Sequence, residues 1–458
     1  MFNDTIAAIS TPIGEGGIGI VRLSGRDAIE IAGRLFISPK GKRLSQVRSH
    51  TIHYGFIRDP LTGERIDEVL LLLMKAPYTY TREDMVEINC HGGFIPLKRT
   101  LELLIREGAR LAEPGEFTKR AFLNGRIDLA QAEAVADLIR AKTETSQRLA
   151  LEQLRGGLSE KIVMLRDRLI DLCAHIEAYI DFPEEDIEPA ETEGLDSALS
   201  SIIDELSALS LTYEEGRFFR EGVRVAIVGR PNVGKSSLLN ALLKRDRAIV
   251  TELPGTTRDV IEELLNIKGL LVRIMDTAGI RESHDMAEIE GVKRSLQAID
   301  EADLVIVLID GSREISNEDL YILEKVREKG KRFILGINKS DLGMFPFSFN
   351  MLSELTLPIS AKTGQGLEEL KDTIVDLTVR KGIEGSGGVM ITNLRHKVAV
   401  DNAISALRRA SLDLKDSQPQ EIVAISLRDA LDHLGEIVGA ATTEDILNRI
   451  FSEFCIGK

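Results

Sequence analysis

The residues GRPNVGKS at 229–236 can grip a nucleoside triphosphate, and four segments that follow in order can complete its pocket. They are PGTTRD at 254–259, DTAG at 276–279, NKSD at 338–341 and SAK at 360–362. The first fits Gly-x-x-x-x-Gly-Lys-Ser, with Gly229, Gly234, Lys235 and Ser236 in the fixed places. Glycines let backbone N–H groups close on phosphate oxygens, and a helix starting there adds a favourable dipole. Lys235 is placed to reach the β- and γ-phosphates and Ser236 to ligate Mg²⁺, while Asn232, Val233 and Ser237 complete the loop. In DTAG, Asp276 ends an apolar run where an indirect Mg²⁺ contact is needed, and Thr277 and Ala278 lead to Gly279, whose N–H can meet a γ-phosphate.

The last two segments select the base. Asp341 can accept from a ring N–H and an exocyclic amine together, a donor edge that guanine has and adenine lacks. Asn338 and Lys339 brace the loop and cover the ring beside Ser340, and Ala361, between Ser360 and Lys362, offers a backbone N–H to the guanine O6. GTP is therefore the expected substrate. Of the adjacent Thr256 and Thr257, Thr257 is the expected Mg²⁺ ligand. Ile280 follows DTAG where Ras-like enzymes carry a water-orienting glutamine, so another group must do that work; Arg281, Glu282, Glu288 and Glu290 are nearby. Asn232 has two readings, a monovalent-cation ligand against the phosphates or a turn residue after Pro231.

These loops need elements to hold them. VRVAIV before the phosphate loop, LLVRIM before DTAG and FILGI before NKSD read as buried parallel strands, and SLLNALL after the loop as a helix start. The GTP-binding unit spans 219–380. Residues 1–118 mix strand-like runs (GGIGIVRLSG, DEVLLLLMKAP, DMVEINCHGG) with a helical pattern at 96–110. From 119 to 218 the pattern is long helix, with a heptad seam of Leu158, Ile162, Leu165, Leu169, Leu172, Ile176 and Tyr179. A glycine-rich joint, KGIEGSGG at 381–388, leads back into helix through 458. The economical reading is one helical domain interrupted by the GTP-binding domain.

Composition bounds the remainder. The 458 residues suffice for about three domains, and 43% apolar with 29% charged content is ordinary for a soluble chain. No apolar run approaches membrane-spanning length and no basic-then-apolar leader opens the chain, so a cytoplasmic protein without a membrane partner is expected. Cys90, Cys173 and Cys455 show no C-x-x-C spacing, and free thiols are the expectation. A net charge of −15 argues against a large nonspecific nucleic-acid surface but not against one local basic patch. Cys90 and His91 are adjacent on a strand, so they point to opposite faces and are read as structural.

The phrases DTIAAISTPIGEGGIGIVRLSG, APYTYTREDMVEINCHGG and PGEFTKRAFLNGRIDLAQAEAVADLI, the GTP motifs and the terminal FCIGK together resemble the MnmE (TrmE) family of tRNA-modification GTPases, end to end. The resemblance implies a multidomain α/β plus all-α chain: an N-terminal α+β domain that binds tetrahydrofolate and dimerises, a discontinuous long-helix domain, and an inserted Ras-like α/β P-loop GTPase domain. It implies a one-carbon donor (a 5-formyl or 5,10-methylene tetrahydrofolate) near Arg22, Glu87, Arg126 and Lys458; Arg126 stands where the family also has lysine. It extends the nucleotide-binding set over Thr251, Glu252, Leu253, Pro254, Gly255, Thr256 and Thr257. It implies a K⁺ held by Asn232, Thr251, Leu253 and Thr256, and Glu288 as the catalytic, water-orienting acid. It further implies action with the FAD protein MnmG (GidA) on C5 of the tRNA wobble uridine, and places Cys455 near the folate. The other readings are a ribosome-assembly GTPase, which would need an RNA-binding module, and a folate-dependent metabolic enzyme regulated by GTP.

Overall fold

The structure, a computed structural model, describes residues 3–41, 43–181, 192–246, 263–275, 297–345, 355–379 and 389–458. It divides into two compact units: Met1–Ala136 with Ser159–Arg166 and Leu431–Lys458, and Asp137–Leu158 with Asp167–Ala430. Among the described residues no helix is long and apolar enough to cross a membrane.

The first unit is built on seven strands: β1 (Ile6–Ile9), β2 (Gly19–Ser24), β3 (Phe36–Ile37), β4 (Thr51–Arg58), β5 (Arg65–Met74), β6 (Met85–Cys90) and β7 (Arg110–Leu111). Their order is β3-β4-β5-β6-β2-β1-β7, and only the β1–β7 pair is parallel. Side chains alternate: Val69, Leu71 and Leu73 of β5 are buried, and Leu70 is exposed. On the buried face, helices Ala28–Leu35 and Phe94–Arg106 set Ile31, Leu35, Leu97 and Leu104 on Val21, Leu71 and Ile88. Each such side chain contributes about 1.5–3 kcal/mol.

A second cluster gathers Phe117 of helix Glu116–Leu123 with Ile6, Ala8 and Met85. Beside it Arg120, fully buried, pairs with Asp4 at 2.7 Å, Glu116 at 3.0 Å and Glu83 at 3.2 Å. Arg110 joins Asp4 and Glu116 from β7. The chain's last residues belong here too. Phe451 and Phe454, in and just after helix Glu444–Ser452, pack on Leu129 and Ala132, and Ile456 bridges Pro114.

The second unit carries β8 (Val223–Val228), β9 (Glu263–Ile267), β10 (Leu270–Met275), β11 (Leu304–Asp310), β12 (Phe333–Asn338) and β13 (Thr356–Pro358). The order is β13-β12-β11-β8-β10-β9, with β9–β10 the antiparallel pair. Its central strands are largely apolar because helices cover both faces, with Arg224 of β8 exposed and Asp310 and Asn338 at the carboxyl ends of β11 and β12. After β8 the chain goes first to one side of the sheet and then to the other, which opens a crevice at the carboxyl end of β8.

Helices flank this sheet in the same unit. Helix Thr192–Leu211 precedes β8 and helix Leu394–Lys415 follows β13, and they lie antiparallel, with Asp196 accepting from Ser411 and Asp401 from Ser210. Leu195, Leu199, Ile202, Leu206 and Leu209 on one helix and Val400, Ala403, Leu407, Ala410 and Leu414 on the other are buried, each set at alternating three- and four-residue steps. The long-helix domain is therefore discontinuous, with the P-loop sheet inserted.

The heptad seam needs one correction. In helix Gly157–Asp181, Leu158, Ile162, Leu165, Leu169 and Ile176 are buried, but Leu172 is only half-buried and Cys173 takes the inward place. A straight helix of 3.6 residues per turn drifts off a strict 3.5 repeat, so the inward position slips by one. The Tyr179 side chain, DFPEED beyond Asp181 and the joint 381–388 lie outside the described residues.

Candidate nucleotide and one-carbon sites

The phosphate loop leaves β8 and enters helix Lys235–Asp246. Gly234 is left-handed (φ +102°), and a Cβ there would press into the Asn338 side-chain amide. Lys235 Nζ is drawn into the loop, donating to the carbonyls of Gly229 at 2.7 Å and Arg230 at 3.0 Å. Burial pushes its ammonium below the usual lysine range. Asn232 is left-handed (φ +63°) and exposed at the loop's tip; Val233 is buried, and Ser236 and Ser237 lie at the helix start.

Asn338 ties three loops into one. Its Nδ2 donates to the Val233 carbonyl at 2.7 Å, and its Oδ1 accepts the Ala361 N–H at 3.0 Å. Ser340 N–H reaches the Ile359 carbonyl, and buried Ser360 donates through Oγ to Asp341 Oδ1 at 2.6 Å, fixing how that carboxylate stands. Lys362 is exposed next to it. Lys339 is left-handed and pairs with Asp310 at 2.7 Å. Burial works against the Asp310 charge, but Lys339 and Ser312 outweigh it and hold the carboxyl below its usual range.

The structure thus brings together Asn232, Val233, Gly234, Lys235, Ser236, Ser237, Asn338, Lys339, Ser340, Asp341, Ser360, Ala361 and Lys362. The other expected nucleotide-binding residues fall on 251–257 and 276–279, and Glu288 with its neighbours on 280–290. All of these lie outside the described residues. Two participants are absent from the motif reading. Asp310 has a readable signal, a lone acid at the carboxyl end of an apolar strand, whereas Asp319, buried 3.2 Å from Arg230 of the phosphate loop, has none.

In the first unit, Arg22 and Glu87 face each other across the β2–β6 register, with Nε–Oε1 at 2.7 Å. Arg22 also donates to the Gly457 carbonyl at 3.1 Å, which brings the C-terminus to the same place. Gly457 is left-handed, and a Cβ there would meet the Ile9 carbonyl at 2.6 Å, so the close approach requires glycine. Burial, and then the nearby Arg22, push the Lys458 ammonium below its usual range. Arg126 lies over the Tyr80 ring at 4.7 Å, and both line a cavity of about 450 Å³ together with Met74, Pro77, Tyr78, Thr79 and Arg82.

The cysteines divide cleanly. Burial pushes the Cys90 thiol up to about 12 and the Cys173 thiol up to about 11, while Cys455 is exposed. His91 points outward to Asp67, so it and Cys90 share no chemistry. Iodoacetamide at pH 8 should therefore alkylate the native chain once, at Cys455, and three times after denaturation, read by intact mass. Rapid double labelling of the native chain would contradict this burial.

A mostly parallel sheet of this order, with a phosphate loop at its crevice and a base loop braced to that loop, defines a P-loop GTPase. The family described as the MnmE helical domain matches residues 129–455, and that described as the GTP-binding protein TrmE N-terminus matches residues 5–126. The chain belongs to the MnmE family of tRNA modification GTPases. It is similar to the tRNA modification GTPase MnmE of Acetivibrio thermocellus, 50% identical over 460 residues (99% of each chain). The same protein of Thermoanaerobacter pseudethanolicus is 49% identical over 463 residues, covering 100% of both. Among solved structures, a single-substitution variant of the Era protein of Aquifex aeolicus, bound to GDP and aluminium fluoride, is 30% identical over 40% of this chain and 66% of that one. Its TM-score, 0.26, is too low to bear on the fold.

Proposed function

We propose that this chain is a K⁺-dependent GTPase acting as a cytoplasmic homodimer with the FAD protein MnmG (GidA). Together they add an aminomethyl-type group, taken from a tetrahydrofolate one-carbon donor, to C5 of the wobble uridine of certain tRNAs. The observation that carries the nucleotide half is the Asn338 bridge, which makes the phosphate and base loops a single site. Lys235 and the loop N–H groups meet the phosphates, Asp341 reads guanine, and Glu288 orients the attacking water. Mg²⁺, through Ser236 and Thr257, and K⁺, through Asn232, Thr251, Leu253 and Thr256, supply positive charge where negative charge builds during hydrolysis. A serine at the helix start and a left-handed, exposed asparagine at the loop tip suit those two ions.

The one-carbon half rests on Arg22, Glu87, Arg126 and Lys458. The carboxylate of Glu87 and three cations suit a flat ring with a polar edge and an acidic tail, and the cavity beside Arg126 has room for it. Dimerisation is supported by the exposed sheet face, where Tyr54 stands opposite Leu70 beside Ile52. We take residues 1–118, 119–218, 219–380 and 381–458 as the functional segments.

GTP turnover in KCl should exceed that in NaCl severalfold; equal rates would remove the K⁺ role. Glu288→Ala should keep nucleotide affinity and lose turnover about a hundredfold, and unchanged turnover would move the role to a neighbouring acid. The whole reading is tested by tRNA from a deletion strain, which should lack the modified wobble uridine.

A further inference from the structure

We propose that the rim of the first unit's cavity is an RNA-docking surface, with Tyr78 as a stacking platform for an unpaired base and the loop 43–50 as a phosphate-binding edge. This deepens the proposed function, since the RNA it would receive is the loop of a tRNA.

Tyr78 is 82% exposed, yet its backbone is fastened. Lys75 N–H donates to Ser49 Oγ at 2.8 Å, Ser49 Oγ donates to His50 Nδ1 at 2.7 Å, and His50 Nε2 donates to the Tyr78 carbonyl at 2.9 Å. Lys75 Nζ also reaches the Val47 carbonyl at 2.9 Å. The segments 47–50 and 75–78 are thereby clipped together while one aromatic ring is left in water. A ring carried on a fastened backbone costs less ordering when a partner covers it, and every base offers a flat face to such a platform. Sequence-directed recognition of RNA works mainly on unpaired bases of loops, which stack on such rings.

The charge around this ring runs against that of the whole molecule. In a chain with 73 acidic and 58 basic residues, Phe36 through Tyr54 contains no Asp or Glu, and its described Lys and Arg are Lys40, Arg43 and Arg48. Val69 through Arg82 likewise contains no acid, and the cavity is lined by Arg82 and Arg126 without a carboxylate, although Asp84 accepts from the Ala76 N–H at 2.8 Å beside this segment. Arg43, Arg48 and His50 are exposed. A polyanion is thus favoured here and repelled over much of the remaining surface, which supplies register as well as attraction. The pairing of a free aromatic face with an acid-poor edge fits single-stranded RNA better than an acidic protein, which would have no use for the ring.

The test is fluorescence anisotropy of a labelled anticodon stem-loop RNA, with uridine at the wobble position, titrated with the full chain at two salt concentrations. Tyr78→Ala should weaken binding about tenfold, Tyr78→Phe should bind as wild type, and Arg48→Ala should lower the slope of log K against log salt by about one. Both side chains are exposed, so melting curves of the variants should overlay wild type. Wild-type-like binding by Tyr78→Ala, an unchanged slope for Arg48→Ala, failure of the wild-type chain to bind the RNA, or equal affinity for polyglutamate each overturns the proposal. A deletion strain that lacks the tRNA modification, together with an indifferent Tyr78, would sink the docking surface and leave the proposed function standing.

Discussion

Asp341→Asn is expected to turn a GTP-preferring chain into one that prefers xanthosine triphosphate. The carboxylate can accept from both N–H groups of the guanine edge, whereas an amide presents one donor there, against guanine's amine and towards xanthine's carbonyl. Each hydrogen bond to a charged group is worth about 1.5–3 kcal/mol, so GTP affinity should fall by roughly two to four orders of magnitude. Ser360 Oγ can donate to the amide oxygen as it does to the carboxylate, so the loop should keep its shape. Competition between the two nucleotides for a fluorescent analogue measures the switch. Retained GTP affinity with no gain for the xanthine nucleotide would mean that Asp341 does not read the base.

Arg120→Met should produce the largest loss of stability, about 3–5 kcal/mol, because it removes the fully buried cation shared by Asp4, Glu83 and Glu116. The pH dependence has a definite sign. Burial raises the Asp4 and Glu116 carboxyls, but Arg110 and Arg120 outweigh it and hold both below their usual range. Carboxylates lowered in this way stabilise the fold above the unfolded value, and that stability is lost as pH falls through the folded one. Calorimetry should therefore find the wild-type and variant melting temperatures far apart at pH 7 and converging below about pH 4. A gap that widens on acidification would contradict the ion-pair account.

The nucleotide site is largely legible because its chemistry is local. Gly234, Lys235 and Ser236 work through consecutive backbone N–H groups, and the apolar runs before each loop announce the strands that carry them. Asn338 is expected to brace its loop, but its two partners, Val233 and Ala361, come from other loops, and only the packing of β8, β12 and β13 brings them within reach. The pairing of Arg230 with Asp319 is invisible in the sequence for the same reason. Arg22, Glu87 and Lys458 come from family resemblance; no spacing rule connects the second strand of a chain with its last residue. The step from Leu172 to Cys173 fails differently, since a heptad template assumes a strict 3.5-residue repeat that the buried positions of this helix do not keep.

The antiparallel pairing of Thr192–Leu211 with Leu394–Lys415 has a consequence for how such a chain can be rebuilt. The host helices already pin both cut ends of the inserted lobe side by side, so the lobe behaves as cargo on a closed ring rather than as a link in a string. Lengthening a ring is inexpensive, about 0.6 kcal/mol per doubling of its contour. Excising the lobe and suturing its ends with a short flexible bridge should leave the helical host able to fold, and another cargo with neighbouring ends could be grafted in its place.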